Sequence, residues 1–588
     1  MLTEQPSRVG AELALETPLG EGSLGRWVAR GAVALAIVLF GALCLYQYHL
    51  PGLHYDEAFD VVPALQILRG DPVTLPRGVG IHLFGRSFPV MLGDTWGIVS
   101  TYAVLPLFWL LDVDVLAIRL WPILAGMLAV FLTYLIGRRI YHRWVGVGAA
   151  LLLSMFPSYV FWTRVGISAI AHLVAIMLGI MLAYLAWRGR ETRGGTRWLV
   201  LIGLLAGIGL ATRLLFGWLL LAVPIAYAIL VLADWLSEDR HAAYSVRDTV
   251  ELAIDRLKRD LPFRSKREAL SPLAGAAVGA FPVLYYNVVT RGSSLGQLAN
   301  PSQTGQGVDN PTLWDNLETV ADGLRTLLNG GSFWFYGGIF TNPLYPWVVA
   351  VSAVGLLVLV HRVPELRRCR RSTVFLLGFA FAVLLLSCFT VSIPESTRLL
   401  ILLPIPQLLT AGFAVFGSRW LARKLRSRLR PALTATVVVT LLFVPLIARD
   451  LWVDARYHRA LARSGGRSDF SSAIYDLAAY LDEHGITRPY ALDRGVKWNI
   501  MILTQGRVEP LEIAGTGAES GSGSEATVQD LLAAPDPVIL VRAEAGNPSH
   551  QLASLEQLVS ASGRTPRLEH TFTQRDGTPV FHVFRVGE

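Results

Sequence analysis

The sequence predicts a polytopic α-helical membrane protein of about eleven spans followed by a C-terminal α/β domain, and three observations predict it. First, 53% of the 588 residues are hydrophobic and only 16% are charged, with a mean hydropathy of +0.46, outside the range of soluble globular chains. Second, the apolar residues fall in separate runs of roughly 17 to 22, the length that crosses about 30 Å of hydrocarbon as a helix. Third, the arginines gather between those runs, and from about Ser468 the chain changes to short strands and an amphipathic helix.

The first apolar run, "GAVALAIVLFGALCLYQYHL" from Gly31 to Leu50, carries no charge. A mostly polar tail, residues 1–28, precedes it, and its end lacks a small-residue cleavage pattern, so it reads as a retained first span. The arginine clusters are "RRIYHR" (138–143), "RGRETRGGTR" (188–197), the stretch from Arg240 to Arg267, "RVPELRRCRR" (362–371) and "RWLARKLRSRLR" (419–430). Lys and Arg in short loops mark the cytoplasmic side. With all five clusters inside, the spans fall at 29–50, 117–137, 144–162, 166–187, 198–212, 214–233, 270–290, 345–361, 373–392, 398–417 and 432–450. The N-terminus is then cytoplasmic and everything beyond Asp450 is external.

One run, "TWGIVSTYAVLPLFWLL" at 95–111, breaks this parity; it is short for a bilayer and is interrupted by Pro106. It is expected to lie along the outer membrane surface, or to re-enter it, within a first external loop spanning 51–116. A second external loop, 291–344, is rich in Gly, Asn and aromatics, as a binding surface would be. The membrane domain thus covers 29–450 and the extracytoplasmic domain 451–588. In the latter, "SSAIYDLAAYLDEHG" (471–485) places Ile474, Leu477, Ala478 and Leu481 at helical spacing; strands are expected at "PYALD", "PVILVRA" and "PVFHVFRV", with a linker "GTGAESGSGS" among them.

The formal net charge of +8 does not indicate nucleic acid, because the arginines follow the topology. Cys44, Cys369 and Cys388 form neither a disulfide framework nor a metal-ligand spacing. The chemistry is sought in "HYDEAFDVVPALQILRG", residues 54–70, which puts two adjacent carboxylates, Asp56 and Glu57, just past the first span. Asp60 is expected to cap a following amphipathic helix whose apolar positions Val61, Val62, Leu65 and Leu68 share one face, with Pro63 in its first turn. That helix would lie at the membrane surface. An Asp fixed there can take the proton of an acceptor hydroxyl while a lipid-tailed substrate stays in the bilayer. The plainer reading of the same pattern is that Asp56 and Glu57 cap or solvate a helix start.

The wider chain adds to this. The Asp56–Glu57 pair opening the first external loop, the stretch from "LFGRSFPVMLGDTWG" through "FPSYVFWTRVG", and "PESTRLLILLPIPQLL" resemble the membrane glycosyltransferases of the GT-C class. The particular likeness is to the lipid-phosphate-sugar-dependent family of protein mannosyltransferases and aminoarabinose transferases. The resemblance runs over roughly residues 30 to 235 and returns at Pro394. It implies a GT-C-like fold and a polyprenyl-monophosphate sugar as donor. The acceptor would be a protein, lipid or glycan hydroxyl on the extracytoplasmic face, with Asp56 as general base beside Glu57 and inversion at the anomeric carbon.

Resemblance and physics together single out Arg164 in "FWTRVGIS" and Arg398 in "IPESTRLL", each at an outer helix end, to stabilise the departing lipid phosphate. Snorkelling to lipid headgroups is the alternative for both. Arg213 in "ATRLLFG", His82 and Arg86 join them as donor-phosphate candidates. Many relatives carry a further acid soon after the counterpart of Arg164, but "RVGISAIAH" has none, so neither a metal nor another cofactor is expected.

The expected setting is the plasma or inner membrane, among membrane lipids and without nucleic-acid partners. A transporter or lipid flippase, or a catalytically silent scaffold, are the rival readings. A transporter usually shows ionisable residues near mid-membrane, whereas these spans are nearly free of acids and their notable charges lie at the outer ends.

Overall fold

Every backbone N–H and C=O in hydrocarbon must pair within the protein, and a long continuously apolar run does so within its own segment as a helix. The computed structural model describes all residues except 1–22, 168–169, 190–194, 237–256, 262, 300–312, 390–395, 425–430, 493–494, 514–527, 544–558, 560–563 and 588. The N-terminal tail up to residue 22, much of the basic stretch from Arg240, part of the second loop and the Gly/Ser-rich linker therefore lie outside the described residues.

The chain opens with α1 (Ser23–Leu45), and the loop after it folds into α2 (Tyr55–Phe59), α3 (Val62–Arg69), a hairpin of β1 (Gly80–Leu83) and β2 (Arg86–Pro89), and α4 (Val99–Leu111). The bundle continues with α5 (Val115–Ile140), α6 (Arg143–Ser154), α7 (Pro157–Val165), α8 (Ile170–Arg188), α9 (Gly195–Thr212) and α10 (Phe216–Leu236). Among the described residues seven helices are long and apolar enough to cross a membrane: α1, α5, α8, α9, α10, Leu344–Arg362 and Pro364–Ser387. Three bent pairs raise the number to ten: α6 with α7 at 58°, Lys266–Gly279 with Phe281–Val289 at 67°, and Ser396–Leu402 with Ile405–Lys424 at 49°. These three were expected as straight spans. Pro157, Pro282 and Pro404 stand at the breaks, where the missing N–H and the crowded preceding residue interrupt the helix.

The last expected span, 432–450, is the first part of a 34-residue helix, Pro431–Ser464, that continues well past Asp450. The 13-residue α4, about 20 Å long at about 1.5 Å per residue, is too short to cross and contains Pro106. Val61, Val62 and Leu65 of the α3 segment are buried while Leu68 is exposed. Asp60 does not cap α3 as expected: it ends α2, and Val61 precedes α3 without a side-chain cap. Helix α9 lies close to Lys266–Gly279 through Gly203 and Gly207 on one side and Gly275 and Gly279 on the other, where a Cβ on Gly203 would come within 1.8 Å of the Pro272 carbonyl oxygen.

The C-terminal part forms a five-stranded mixed sheet in the order β4-β3-β5-β7-β6: β3 (Tyr490–Ala491), β4 (Leu511–Glu512), β5 (Val538–Arg542), β6 (Thr565–Thr573) and β7 (Pro579–Gly587). The three expected strands are β3, β5 and β7, whereas β4 and β6 were not foreseen. Ile474, Leu477, Ala478 and Leu481 are all buried under the sheet on helix Ala473–Glu483. A second helix, Lys497–Leu503, leans on α2: the Trp498 ring centroid is 6.4 Å from that of Tyr55 and 5.9 Å from that of Phe59. Asn499 Nδ2 donates to the Leu53 carbonyl (3.2 Å), Gly52 N–H to the Phe470 carbonyl (2.8 Å) and Tyr475 O–H to the His49 carbonyl (2.7 Å). The C-terminal domain thus buttresses the loop that carries the two acids.

Candidate active site

Consecutive residues on a helix point about 100° apart, so Asp56 and Glu57 cannot share an environment. Helix α2 is capped by His54, whose Nδ1 accepts from the Asp56 N–H, while the Glu57 carboxylate accepts from the His54 N–H at 3.1 Å. Glu57 turns inward, 2% exposed, and meets Arg119 of α5 in a two-point ion pair: Nε to Oε2 at 2.9 Å and Nη2 to Oε1 at 3.0 Å. Arg119 spends its remaining donors on the carbonyls of Tyr48 (2.6 Å), Pro51 (3.0 Å) and Gly52 (3.3 Å). Glu57, expected beside Asp56 in the chemistry, is therefore an anchor whose oxygens are both occupied. Sequence reading passed over Arg119, although it is the one charge between Asp114 and Arg138 in an apolar run.

Asp56 faces the other way. It is half-buried, and its carboxylate has no hydrogen bond among the described residues. Beside it a polar cluster forms where the loop is stitched to the α9–α10 connection. Ile98 N–H donates to the Ala211 carbonyl (3.0 Å), Leu214 N–H to the Thr95 carbonyl (3.3 Å), and Trp96 pairs with Arg213 across a short antiparallel bridge. The Arg213 guanidinium carbon lies 3.4 Å from the Trp96 ring centroid. Trp96 Nε1 donates to Asp60 Oδ1 at 2.6 Å, and Thr101 O–H to the Asp60 carbonyl at 2.6 Å.

Burial pushes the Asp60 carboxyl up to about 6, against the pull of Arg213 and the Trp96 hydrogen bond, with the nearby charge of Asp56 adding to the rise. Burial lowers Arg213 to about 10; Asp60 and Asp56 hold it up and Arg398 lowers it further. Among the described residues two shielded donors of Arg213, Nε and Nη2, have no hydrogen-bond partner. A desolvated donor without an acceptor is costly, and an anion arriving beside Asp56 would relieve that cost.

Of the other expected donor-phosphate residues, Arg398 is half-exposed in the short helix Ser396–Leu399, and its charge reaches Arg213. Arg164 is placed elsewhere. It is fully buried, and its Nη2 takes the carbonyls of Tyr46 (2.8 Å), Gln47 (2.8 Å) and Leu50 (2.9 Å), closing the end of α1, while Nη1 meets His458 Nδ1 at 3.1 Å. A desolvated guanidinium with that set of acceptors locks the fold. His82 and Arg86 sit on the exposed β1–β2 hairpin, His82 Nδ1 against Ser87 Oγ at 2.9 Å and Arg86 reaching toward the Ile67 carbonyl, with no contact to Asp56. Among the described residues no three His, Cys, Asp or Glu side chains come together in a way that could hold a metal ion.

A bundle of straight and proline-bent apolar helices, an acidic first loop and a C-terminal mixed-sheet domain define a polytopic membrane protein of the GT-C fold class. Residues 98–246 match the family described as dolichyl-phosphate-mannose-protein mannosyltransferase, which bears out the resemblance to the polyprenyl-phosphate-dependent membrane glycosyltransferases. The whole fold is similar to that of ArnT from Cupriavidus metallidurans bound to undecaprenyl phosphate, with a TM-score of 0.56 and 14% identity over 96% of this chain and 98% of that one. It is similar also to ArnT in the apo state, with a TM-score of 0.55 and 14% identity over the same shares. The archaeal oligosaccharyltransferase AglB from Archaeoglobus fulgidus, in complex with an inhibitory peptide and a dolichol-phosphate, gives a TM-score of 0.49 at 16% identity over 89% of this chain and 70% of that one. No curated protein matches the sequence significantly.

Proposed function

We propose that the chain is a glycosyltransferase that moves a sugar from a polyprenyl-monophosphate carrier to an acceptor hydroxyl on the extracytoplasmic face, with Asp56 as general base. Asp56 takes the hydroxyl proton as the acceptor oxygen bonds to the anomeric carbon; the bond from that carbon to the lipid phosphate breaks on the opposite side, inverting the centre. The phosphate leaves with its charge, met by Arg213 and Arg398. The carrying observation is an open carboxylate at Asp56 whose charge acts on the Arg213 guanidinium, two of whose shielded donors have no hydrogen-bond acceptor among the described residues. The undecaprenyl phosphate bound to ArnT and the family match over 98–246 support a lipid-phosphate donor. A transporter reading draws on Asp454, buried, with no hydrogen-bond partner for either carboxylate oxygen among the described residues. Asp454 lies beyond the expected outer end of its span, however, and not at mid-membrane, where a transport site is expected.

Asp56→Asn tests this. His54 caps α2, so the variant folds, but it cannot take a proton. Transfer from a radiolabelled polyprenyl-phosphate sugar is expected to fall by roughly 10² or more, with donor binding retained. Near-normal transfer would return the site to a structural role. Transfer is proposed to need no divalent metal. Exhaustive chelation is expected to leave the rate unchanged, and loss restored by Mg²⁺ or Mn²⁺ would refute that.

A further inference from the structure

Two adjoining cavities lie away from Asp56. The one of about 340 Å³ lies between the long helix Pro431–Ser464, the loop around Phe340, and the β6–β7 turn, and four of its lining residues are arginines: Arg456, Arg459, Arg463 and Arg467. The first three follow one helix face at spacings of three and four, where like charges repel by about 0.2–0.5 kcal/mol per pair. A second cavity of about 590 Å³ adjoins it and shares Arg467 and Asp576.

Four exposed arginines thus line a cavity whose one lining carboxylate is Asp576. Among the described residues none of the four has an ion pair or a side-chain hydrogen bond; Arg456 stacks on Phe340 and Trp452, and Arg467 acts on Asp576 only at longer range. Trp452, flanked by Arg449 at 4.0 Å and Arg456 at 5.0 Å, has the composition of a membrane-interface belt. From that level Arg459 and Arg463 stand about 10 and 16 Å further along the helix, taking about 1.5 Å per residue. On the proposed topology this is the external side, where arginines beside a span are disfavoured unless something uses them.

We propose that this arginine ladder is an anion site for phosphate groups, distinct from the donor site at Asp56, that takes the phosphate of an anionic headgroup or free phosphate. Planar guanidinium forks match phosphate oxygens two at a time, and a ladder running from the interface into a cavity suits a phosphate raised above the bilayer. The proposal rests on the function proposed above only for the face of the membrane, because binding itself requires no transfer.

The test uses the detergent-solubilised full-length protein, titrated calorimetrically with inorganic pyrophosphate and examined by native mass spectrometry with phosphatidylglycerol. It compares the wild type with Arg459→Ala/Arg463→Ala, with the charge-preserving Arg459→Lys/Arg463→Lys, and with Arg398→Ala. The expected result is binding at least about tenfold weaker in the double alanine variant, largely recovered in the lysine variant and unchanged in Arg398→Ala. Loss confined to phosphatidylglycerol would identify a headgroup as the source, and loss confined to pyrophosphate a free phosphate. Equal binding of both probes by wild type and double alanine variant, no binding of either by the wild type, or loss only in Arg398→Ala would overturn the proposal. Failure of Asp56→Asn to lose transfer would leave these titrations unaffected, so the two readings fail separately.

Discussion

Two acids joined by a single peptide bond have opposite fates in this molecule, and the cause is helical geometry. Glu57 faces the bundle, where burying a carboxylate is tolerable only with a paired cation, and Arg119 supplies it with full donor satisfaction. Asp56 is half-buried, and its carboxylate has no hydrogen bond among the described residues. Glu57→Gln should therefore act as a folding lesion. It strands the Arg119 charge in the interior, and a loss of roughly 3–5 kcal/mol is expected, read as a lower unfolding temperature in detergent. Asp56→Asn should leave that temperature unchanged. A Glu57→Gln protein of normal stability with no transfer would move Glu57 back into the chemistry.

Residue roles were only half legible in the sequence for the same reason. A charge next to an apolar run shows its position along the chain and not the partner that packing brings from α5 or from the end of α1, so neither the Glu57–Arg119 pair nor the carbonyls around Arg164 can be read from the sequence.

At the scale of elements, apolar length gives away the helices because a helix pairs every backbone group of one continuous apolar run within itself, and α1, α5, α8, α9 and α10 follow from it directly. The bends do not, since hydropathy counts residues and carries no direction. Pro157, Pro282 and Pro404 were visible, yet whether a proline kinks or breaks a span depends on what its neighbours re-satisfy. The two-residue β3 and β4 are set by their partners in the sheet more than by local pattern.

The candidate site depends on one contact between elements that the sequence did not disclose, the stitch between Thr95–Ile98 and the end of α9. Gly97 permits it: a Cβ there would come within 1.8 Å of the Ala211 carbonyl oxygen. Gly97→Ala should part these strands and carry Arg213 away from Trp96 and Asp56. A displacement of that order is expected to cost about 10² in transfer, with the bundle intact by circular dichroism. Wild-type transfer in Gly97→Ala would show that Arg213 does not need to be held against the loop.

At the scale of the whole molecule, the site and the ladder have meaning only if they share one face of the membrane. Asp56 sits under the C-terminal domain, through Trp498 on Tyr55 and Phe59 and Asn499 on Leu53, so the loop and that domain lie on the same side whichever side it is. The arginine-rich segment 362–371 follows helix Leu344–Arg362, and the proposed topology puts it on the opposite face. Single cysteines decide this, because the native Cys44, Cys369 and Cys388 are buried and give little background. Glu483→Cys, exposed on the domain, is expected to react with an impermeant maleimide on intact cells, and His361→Cys, exposed at the end of its helix, only after permeabilisation. The reverse pattern would place Asp56, Arg213 and the ladder in the cytoplasm and remove the external-face acceptor from the proposed reaction, while leaving the geometry of the carboxylate and its guanidinium neighbour as it stands.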